Sequence, residues 1–173
     1  ILLDHTQDPV DIYIGGTFNY YGGTPTSNAR MCYNVARWDH EKKDWSPVGG
    51  GAKPKEIDAK YYPNGYPGLP ARPFEKFHGF TRTDFPWVRS MVMDKQGNIY
   101  AGGCIAIVDH DTLPVADRVE SYGIAKYDKA TDKWVAFTTV GGVSRDILEM
   151  TWVDEDRTKL LLSGAFEYDN AWR

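Results

Sequence analysis

Short apolar segments, each closed by a polar turn, recur along the chain and predict strands rather than helices. Val88 to Asp94 and Leu148 to Asp154 are apolar runs that end in Asp and lead into a turn, and Ile1-Leu2-Leu3-Asp4 keeps the end of the same pattern. After the turn, Ile12-Tyr13-Ile14-Gly15-Gly16-Thr17-Phe18 returns as Ile99-Tyr100-Ala101-Gly102-Gly103-Cys104-Ile105, and more loosely as Leu160-Leu161-Leu162-Ser163-Gly164-Ala165-Phe166. The shifts are 87 and then 61 residues. A second element, Val35-Ala36-Arg37-Trp38-Asp39 with Trp45 beyond it, recurs as Ile124-Ala125-Lys126-Tyr127-Asp128 with Trp134 at the same distance. Each copy then closes on glycine, at Val48-Gly49-Gly50-Gly51 and at Val140-Gly141-Gly142.

A repeat is read before any single element, because it assigns the whole fold at once. Each unit reads as four short strands: an apolar strand ending in Asp, a strand ending in Gly-Gly, a strand ending in Trp-Asp or Tyr-Asp, and a Trp strand. The turns agree, since Asp94-Lys95-Gln96-Gly97-Asn98 and Asp128-Lys129-Ala130-Thr131-Asp132-Lys133 supply the residues that hairpin loops require. Glycines at a strand end let a neighbouring sheet approach the backbone closely. Repeated four-stranded units, each with a tryptophan for its interior, predict an all-β chain that is part of a β-propeller, about two and a half four-stranded antiparallel blades. Trp38, Trp45 and Trp134 are assigned to blade cores, with Trp45 and Trp134 equivalent and largely buried.

These residues carry a resemblance. The run Ile12 to Phe18, then Gly22-Gly23, Asn34 to Asp39 and Trp45 to Gly51 resembles kelch-like β-propeller repeats, most similar to those of fungal cell-surface polarity landmark proteins and bacterial secreted propellers. The resemblance spans residues 1–51, 87–142 and 146–173. The second unit departs from it at Ala101 and Cys104 and lacks the second Gly-Gly. It implies a secreted or cell-surface setting and a fold that hosts enzymes, lectins and scaffolds alike.

The expected layout is a first blade over 1–51, a Pro- and aromatic-rich insertion arm over 52–86, a second blade over 87–142 and the first half of a third over 143–173. Propellers close with roughly 4 to 8 blades, so this chain alone makes an open stack. It is expected to be an excerpt of a longer polypeptide, or one chain of an assembled ring. The start at Ile1, without an initiator Met or signal pattern, fits a cut N-terminus. The arm holds six of the ten prolines, a density that argues against a strand within it. Its seven aromatics argue against ordinary disorder. It carries a net charge of +2 on a body of -6, and is expected to lie packed on a blade or a neighbouring subunit.

Composition narrows function mainly by exclusion. The chain has 173 residues, with 42% hydrophobic and 25% charged, and no run of roughly 20 apolar residues that would span a membrane. Twenty basic against 24 acidic residues give a net charge of -4, which removes the electrostatic term nucleic-acid binding depends on. No Gly-x-Ser-x-Gly elbow, phosphate loop or dinucleotide fingerprint occurs, and His5, His40, His78 and His110 lie in loop-like contexts. Asp109-His110-Asp111 is the tightest carboxylate and imidazole cluster, but lacks a third or fourth ligand at metal-site spacing. Asp4-His5 with Asp8, and Asp154-Glu155-Asp156, read as turn residues rather than calcium loops. Cys32 and Cys104 fall on one rim of the repeat, where an inter-blade disulfide and two buried thiols are both compatible. No cofactor is expected.

The residues left for recognition are Tyr20 and Tyr21 in a loop that varies between copies, and Tyr61, Tyr62, Tyr66, Phe74, Phe77 and Phe80 in the arm. The expected function is a non-catalytic propeller segment, acting as a binding or structural module in a cell-surface or extracellular assembly. Its partners are the remainder of its own chain or neighbouring subunits, with carbohydrate a candidate ligand. The alternative is a fragment of a carbohydrate-active propeller enzyme, whose carboxylates would converge where loops meet at the ring centre.

Overall fold

The computed structural model describes residues 1–18, 20–21, 30–31, 34–49, 74–75, 87–105, 107–108, 119–120, 123–136 and 147–164. The described residues form strands and no helix: β1 (Leu2–Asp4), β2 (Asp11–Gly15), β3 (Tyr20–Tyr21), β4 (Arg30–Met31), β5 (Val35–Asp39), β6 (Asp44–Pro47), β7 (Phe74–Glu75), β8 (Trp87–Met93), β9 (Ile99–Cys104), β10 (Ile107–Val108), β11 (Val119–Glu120), β12 (Ile124–Asp128), β13 (Lys133–Ala136), β14 (Ile147–Trp152) and β15 (Leu160–Gly164). All pairings are antiparallel. A first sheet has the order β1-β2-β5-β6, a second the order β8-β9-β12-β13, and β14-β15 begin a third.

The two full sheets agree in register as well as in order. Ile12 faces Trp38 across β2 and β5, and Ile99 faces Tyr127 across β9 and β12. Trp38 faces Trp45, and Tyr127 faces Trp134. Just before the third strand of each sheet the backbone turns left-handed, at Asn34 (φ 65°) and at Gly123 (φ 77°). Asn and Gly are the residues that accept this conformation most readily. The amide of Gly16 donates to the Asn34 carbonyl at 2.9 Å, and Gly103 donates to Gly123 at 2.9 Å. Asn34 and Gly123 donate in return to Phe18 at 2.9 Å and Ile105 at 2.7 Å.

Successive sheets stack face to face. The alternation of strand side chains sends Tyr13 and Gly15 toward the second sheet and Ile12 and Ile14 away from it. Tyr13, Val35 and Val48 of the first sheet thus share a core with Val88, Met93, Ile99, Ala101, Tyr127 and Trp134 of the second. On the opposite face of the second sheet, Ile124 meets Ile147 and Met150 of the third, flanked by Val92, Tyr100, Leu160 and Leu162.

Two expectations need correction. The arm does contain a strand: Phe74 pairs with Val108 and Glu75 with Ile107, and β10 pairs in turn with β11. This strand falls in the longest proline-free interval of the arm, between Pro73 and Pro86, where backbone amides remain available for a ladder. Trp38 and Trp45 are half-buried rather than core residues, whereas their counterparts Tyr127 and Trp134 are 5% and 0% exposed. The positions are equivalent but their surroundings are not, because the first sheet covers Trp134 and no described sheet covers Trp45.

The equivalent glycines Gly16 and Gly103 also differ in what surrounds them. A Cβ on Gly103 would collide with the Trp87 carbonyl oxygen, a backbone atom that cannot yield, while a Cβ on Gly16 would meet only the Phe18 ring at 3.2 Å. Gly103→Ala is expected to lower stability by at least about 2 kcal/mol and Gly16→Ala by less than about 1 kcal/mol, measured by urea unfolding.

Candidate functional site

The seam between the first two sheets brings charged, phenolic and hydroxyl side chains together. It holds a cavity of about 430 Å³ lined by Tyr13, Arg37, Ser46, Pro47, Val48, Tyr127, Lys129 and Asp132. The first sheet delivers Tyr13 and Arg37 side by side, since they face each other across β2 and β5. The second sheet delivers Tyr127 from β12, with Lys129 and Asp132 from the turn that follows. Val48, which lines the cavity, is tied across the seam by the Trp134 indole, whose Nε1 donates to its carbonyl at 2.9 Å. Gly49 makes that approach possible: its φ is +66°, and a Cβ there would lie 2.5 Å from Trp134 Cδ1.

The charged groups of the seam are held by one another. Asp4 is fully buried and accepts hydrogen bonds from the Thr6 amide at 2.9 Å, the Thr6 hydroxyl, Gln7 Nε2 at 3.2 Å and Lys129 Nζ at 2.9 Å. Burial alone would raise the pKa of this carboxyl, but the bonds from Thr6 and Lys129 outweigh it and hold the group below its ordinary value. Arg37 sits 3.8 Å from Asp11 and 3.7 Å from Asp39. The Tyr127 hydroxyl donates to Asp132 at 2.7 Å. Burial first, and the carboxylate it donates to second, push this phenol well above its usual range. Burial likewise raises Tyr13. These shifts move the carboxyl down and the phenols up, so each is fixed in one ionisation state around neutrality. Such groups can donate, accept and bind; they are not poised to exchange protons.

Aspartates at the hairpins serve their own turns. Asp94 Oδ1 accepts from the amides of Gln96 and Asn98 at 3.0 and 2.9 Å. Asp154 Oδ1 accepts from the amides of Thr158 and Lys159 at 2.8 and 3.0 Å and Oδ2 from the Thr158 hydroxyl, and these bonds, the hydroxyl's first, bring it down to about 2. Asp39 Oδ1 accepts from Glu41 and Lys42 at 3.1 and 3.0 Å. Its carboxyl also lies at about 2, chiefly through the Lys42 side chain. Asp4 and Asp154 are therefore turn residues, as their sequence context predicts. Among the described residues no three His, Cys, Asp or Glu side chains come together as metal ligands. No helix among them is long and apolar enough to cross a membrane.

Of the residues predicted for recognition, Tyr20 and Tyr21 form β3 and pair with Met31 and Arg30. Phe74 lies in β7, on the edge of the small sheet with β10 and β11. Tyr61, Tyr62, Tyr66, Phe77 and Phe80 lie outside the described residues, as do Cys32 and the Asp109-His110-Asp111 cluster. Cys104 is buried at the end of β9. Sequence reasoning missed Tyr13, Arg37 and Lys129. A signal existed for the first two, because the repeat sets Tyr13 against Tyr100 and Arg37 against Lys126. In the second sheet Lys126 Nζ stands 5.7 Å from the Tyr100 ring centroid, and these two residues are also cross-strand partners. Lys129 gave no such signal, since its acidic partner lies 125 residues away.

Comparisons with protein families, with curated proteins and with solved structures find no match to this chain.

Asp4 is depressed in the folded state, so the stability it contributes is present above its unfolded value near 4 and is lost as pH falls through the folded value. Lys129→Met strands a buried carboxylate and is expected to cost about 1–3 kcal/mol at pH 7. That difference from the parent chain should shrink below pH 4 as Asp4 protonates. Thermal unfolding of both proteins between pH 2 and pH 7 measures it.

Proposed function

We propose that this chain is a segment of a β-propeller that works as a non-catalytic binding or structural module in a cell-surface or extracellular assembly. The observation that carries the reading is the polarity of the stack. The first sheet turns its Gly15 face to the second, and the second turns its Gly102 face to the third. Each glycine receives the same pair of residues from the next sheet, Val88 and Met91 in one case, Ile147 and Met150 in the other. A head-to-tail interface of this kind generates a ring when the rotation between sheets closes.

The chemistry of the seams supports a binding or structural role. Asp4 holds Lys129, the hairpin aspartates close their own turns, and the Tyr127 hydroxyl is committed to Asp132. The loops that depart from the repeat, around β3 and β4 and in the arm, are where a specific partner is added. The arm's pairing through Phe74 and Glu75 ties it to the loop strand β10, which itself lies beside β13.

Two measurements test the two halves of the reading. In a crystal structure of the chain, the rotation that carries the first sheet onto the second should carry the second onto the third about one axis with almost no rise. A steady rise along the axis would make the stack a solenoid and discard the propeller. With a panel of oligosaccharides, the chain should show no hydrolysis. Turnover abolished by replacing a single carboxylate would establish the carbohydrate-active alternative instead.

A further inference from the structure

We infer that the face of the first sheet formed by Leu3, Ile12, Ile14, Trp38 and Trp45 is a docking surface for one further four-stranded sheet of this same repeat, carried on the same polypeptide. The inference rests on the propeller reading and adds to it the site, the polarity and the contacts.

The second sheet shows what this face is built to meet. Leu3 pairs with Ile12 as Met93 pairs with Ile99, so Leu3 stands where Met93 stands. By the same registers Ile12 answers to Ile99, Ile14 to Ala101, Trp38 to Tyr127 and Trp45 to Trp134. In the second sheet these counterparts are between 0% and 5% exposed, because the first sheet lies over them. In the first sheet Leu3 is 45% exposed, and Ile12, Ile14, Trp38 and Trp45 are only half-buried. The aromatic pairs share their spacing too: the ring centroids of Trp38 and Trp45, and those of Tyr127 and Trp134, are both 5.5 Å apart.

The contrast marks the first-sheet face as one that has the same apolar residues without the neighbour that covers them in the second. The two seams already present define its occupant. The incoming sheet presents a strand-end glycine, as Gly15 and Gly102 are presented, and Ile1, which stands where Met91 stands and is 93% exposed, lies against it. It also offers a carbonyl to the Trp45 indole, as Val48 does to Trp134. A second copy of the chain is a poorer fit. Its outermost sheet would present β15, where Ser163 occupies the place of Gly102, as the pairings of Ser163 with Glu149 and Gly102 with Ser90 show. Nor do β14 and β15 alone reach far enough to cover the strands that carry Trp38 and Trp45.

Hydroxyl-radical footprinting read by mass spectrometry tests the inference. In the 173-residue chain, Trp45 is expected to react several-fold faster than Trp134. In a tandem chain, residues 1–86 are placed ahead of the full sequence, with Trp45→Phe in the leading copy so that one tryptophan reports. There Trp45 should fall to the reactivity of Trp134. Adding Gly15→Leu to the leading copy, with its fold checked by circular dichroism, should restore the fast reaction. If Trp45 stays fast in the tandem chain while Trp134 is protected, the docking inference is wrong and the stacked reading survives. If Trp134 itself reacts fast in the 173-residue chain, the stacked reading fails first. Protection of Trp45 that grows with concentration in the 173-residue chain, with a dimer in sedimentation, would overturn the inference in favour of a second copy.

Discussion

The closeness with which one sheet can approach the backbone of the next is the constraint on which the rest of the structure depends. A Cβ at Gly15 would stand 2.7 Å from Val88 Cγ1, and one at Gly102 would stand 2.7 Å from Ile147 Cγ2. Neither Val nor Ile can swing aside, because branching at Cβ fixes the side chain. The missing methylene is thus what permits the seams to close. Once closed, they place an indole where it can donate across the gap, Trp134 to Val48 at 2.9 Å and Trp152 to Met93 at 2.8 Å. The two indoles come from different strands, yet each satisfies a carbonyl of the preceding sheet. A Trp N–H taken out of water favours such a partner, and both seams supply one.

Polar residues complete the seams from the rim. Lys129 reaches from the second sheet to Asp4 of the first, and Lys95 reaches Asp156 beside the third at 2.7 Å. The first pair is shielded and joined to a larger hydrogen-bond set; the second is exposed and contributes little. At Asp4 the turn chemistry that ends the strand also leaves a carboxylate at the edge of the seam, where Lys129 of the adjoining sheet finds it. Structure and electrostatics share the same residues, and the cavity lined by Tyr13, Arg37 and Tyr127 is the space they leave.

Most of the fold was legible in the sequence because a repeat fixes register and turn positions together. The match of Trp38 and Trp45 with Tyr127 and Trp134, and of Asn34 with Gly123, could be read from spacing alone. Burial could not, because it depends on which neighbour is present: Trp45 and Trp134 occupy equivalent positions and differ in exposure for that reason. The strand at Phe74 was hidden by proline density, which measures a whole segment and not its one proline-free interval. The cross-sheet bond of Lys129 to Asp4 was invisible, since both residues read locally as turn formers. For the recognition aromatics, only the backbones of Tyr20, Tyr21 and Phe74 are described, and the strands they join show that these loops carry ladder structure of their own.

The most direct measurement of the central claim is a double-mutant cycle across the first seam. Gly15→Ala, Val88→Ala and the double variant would be compared by urea unfolding. The account predicts that Gly15→Ala costs about 1–3 kcal/mol in the parent chain and much less when Val88 is already alanine, a coupling of about 1 kcal/mol or more. Equal costs of Gly15→Ala in the two backgrounds would show that the side chain of the second sheet does not sit on that glycine, and would contradict the account.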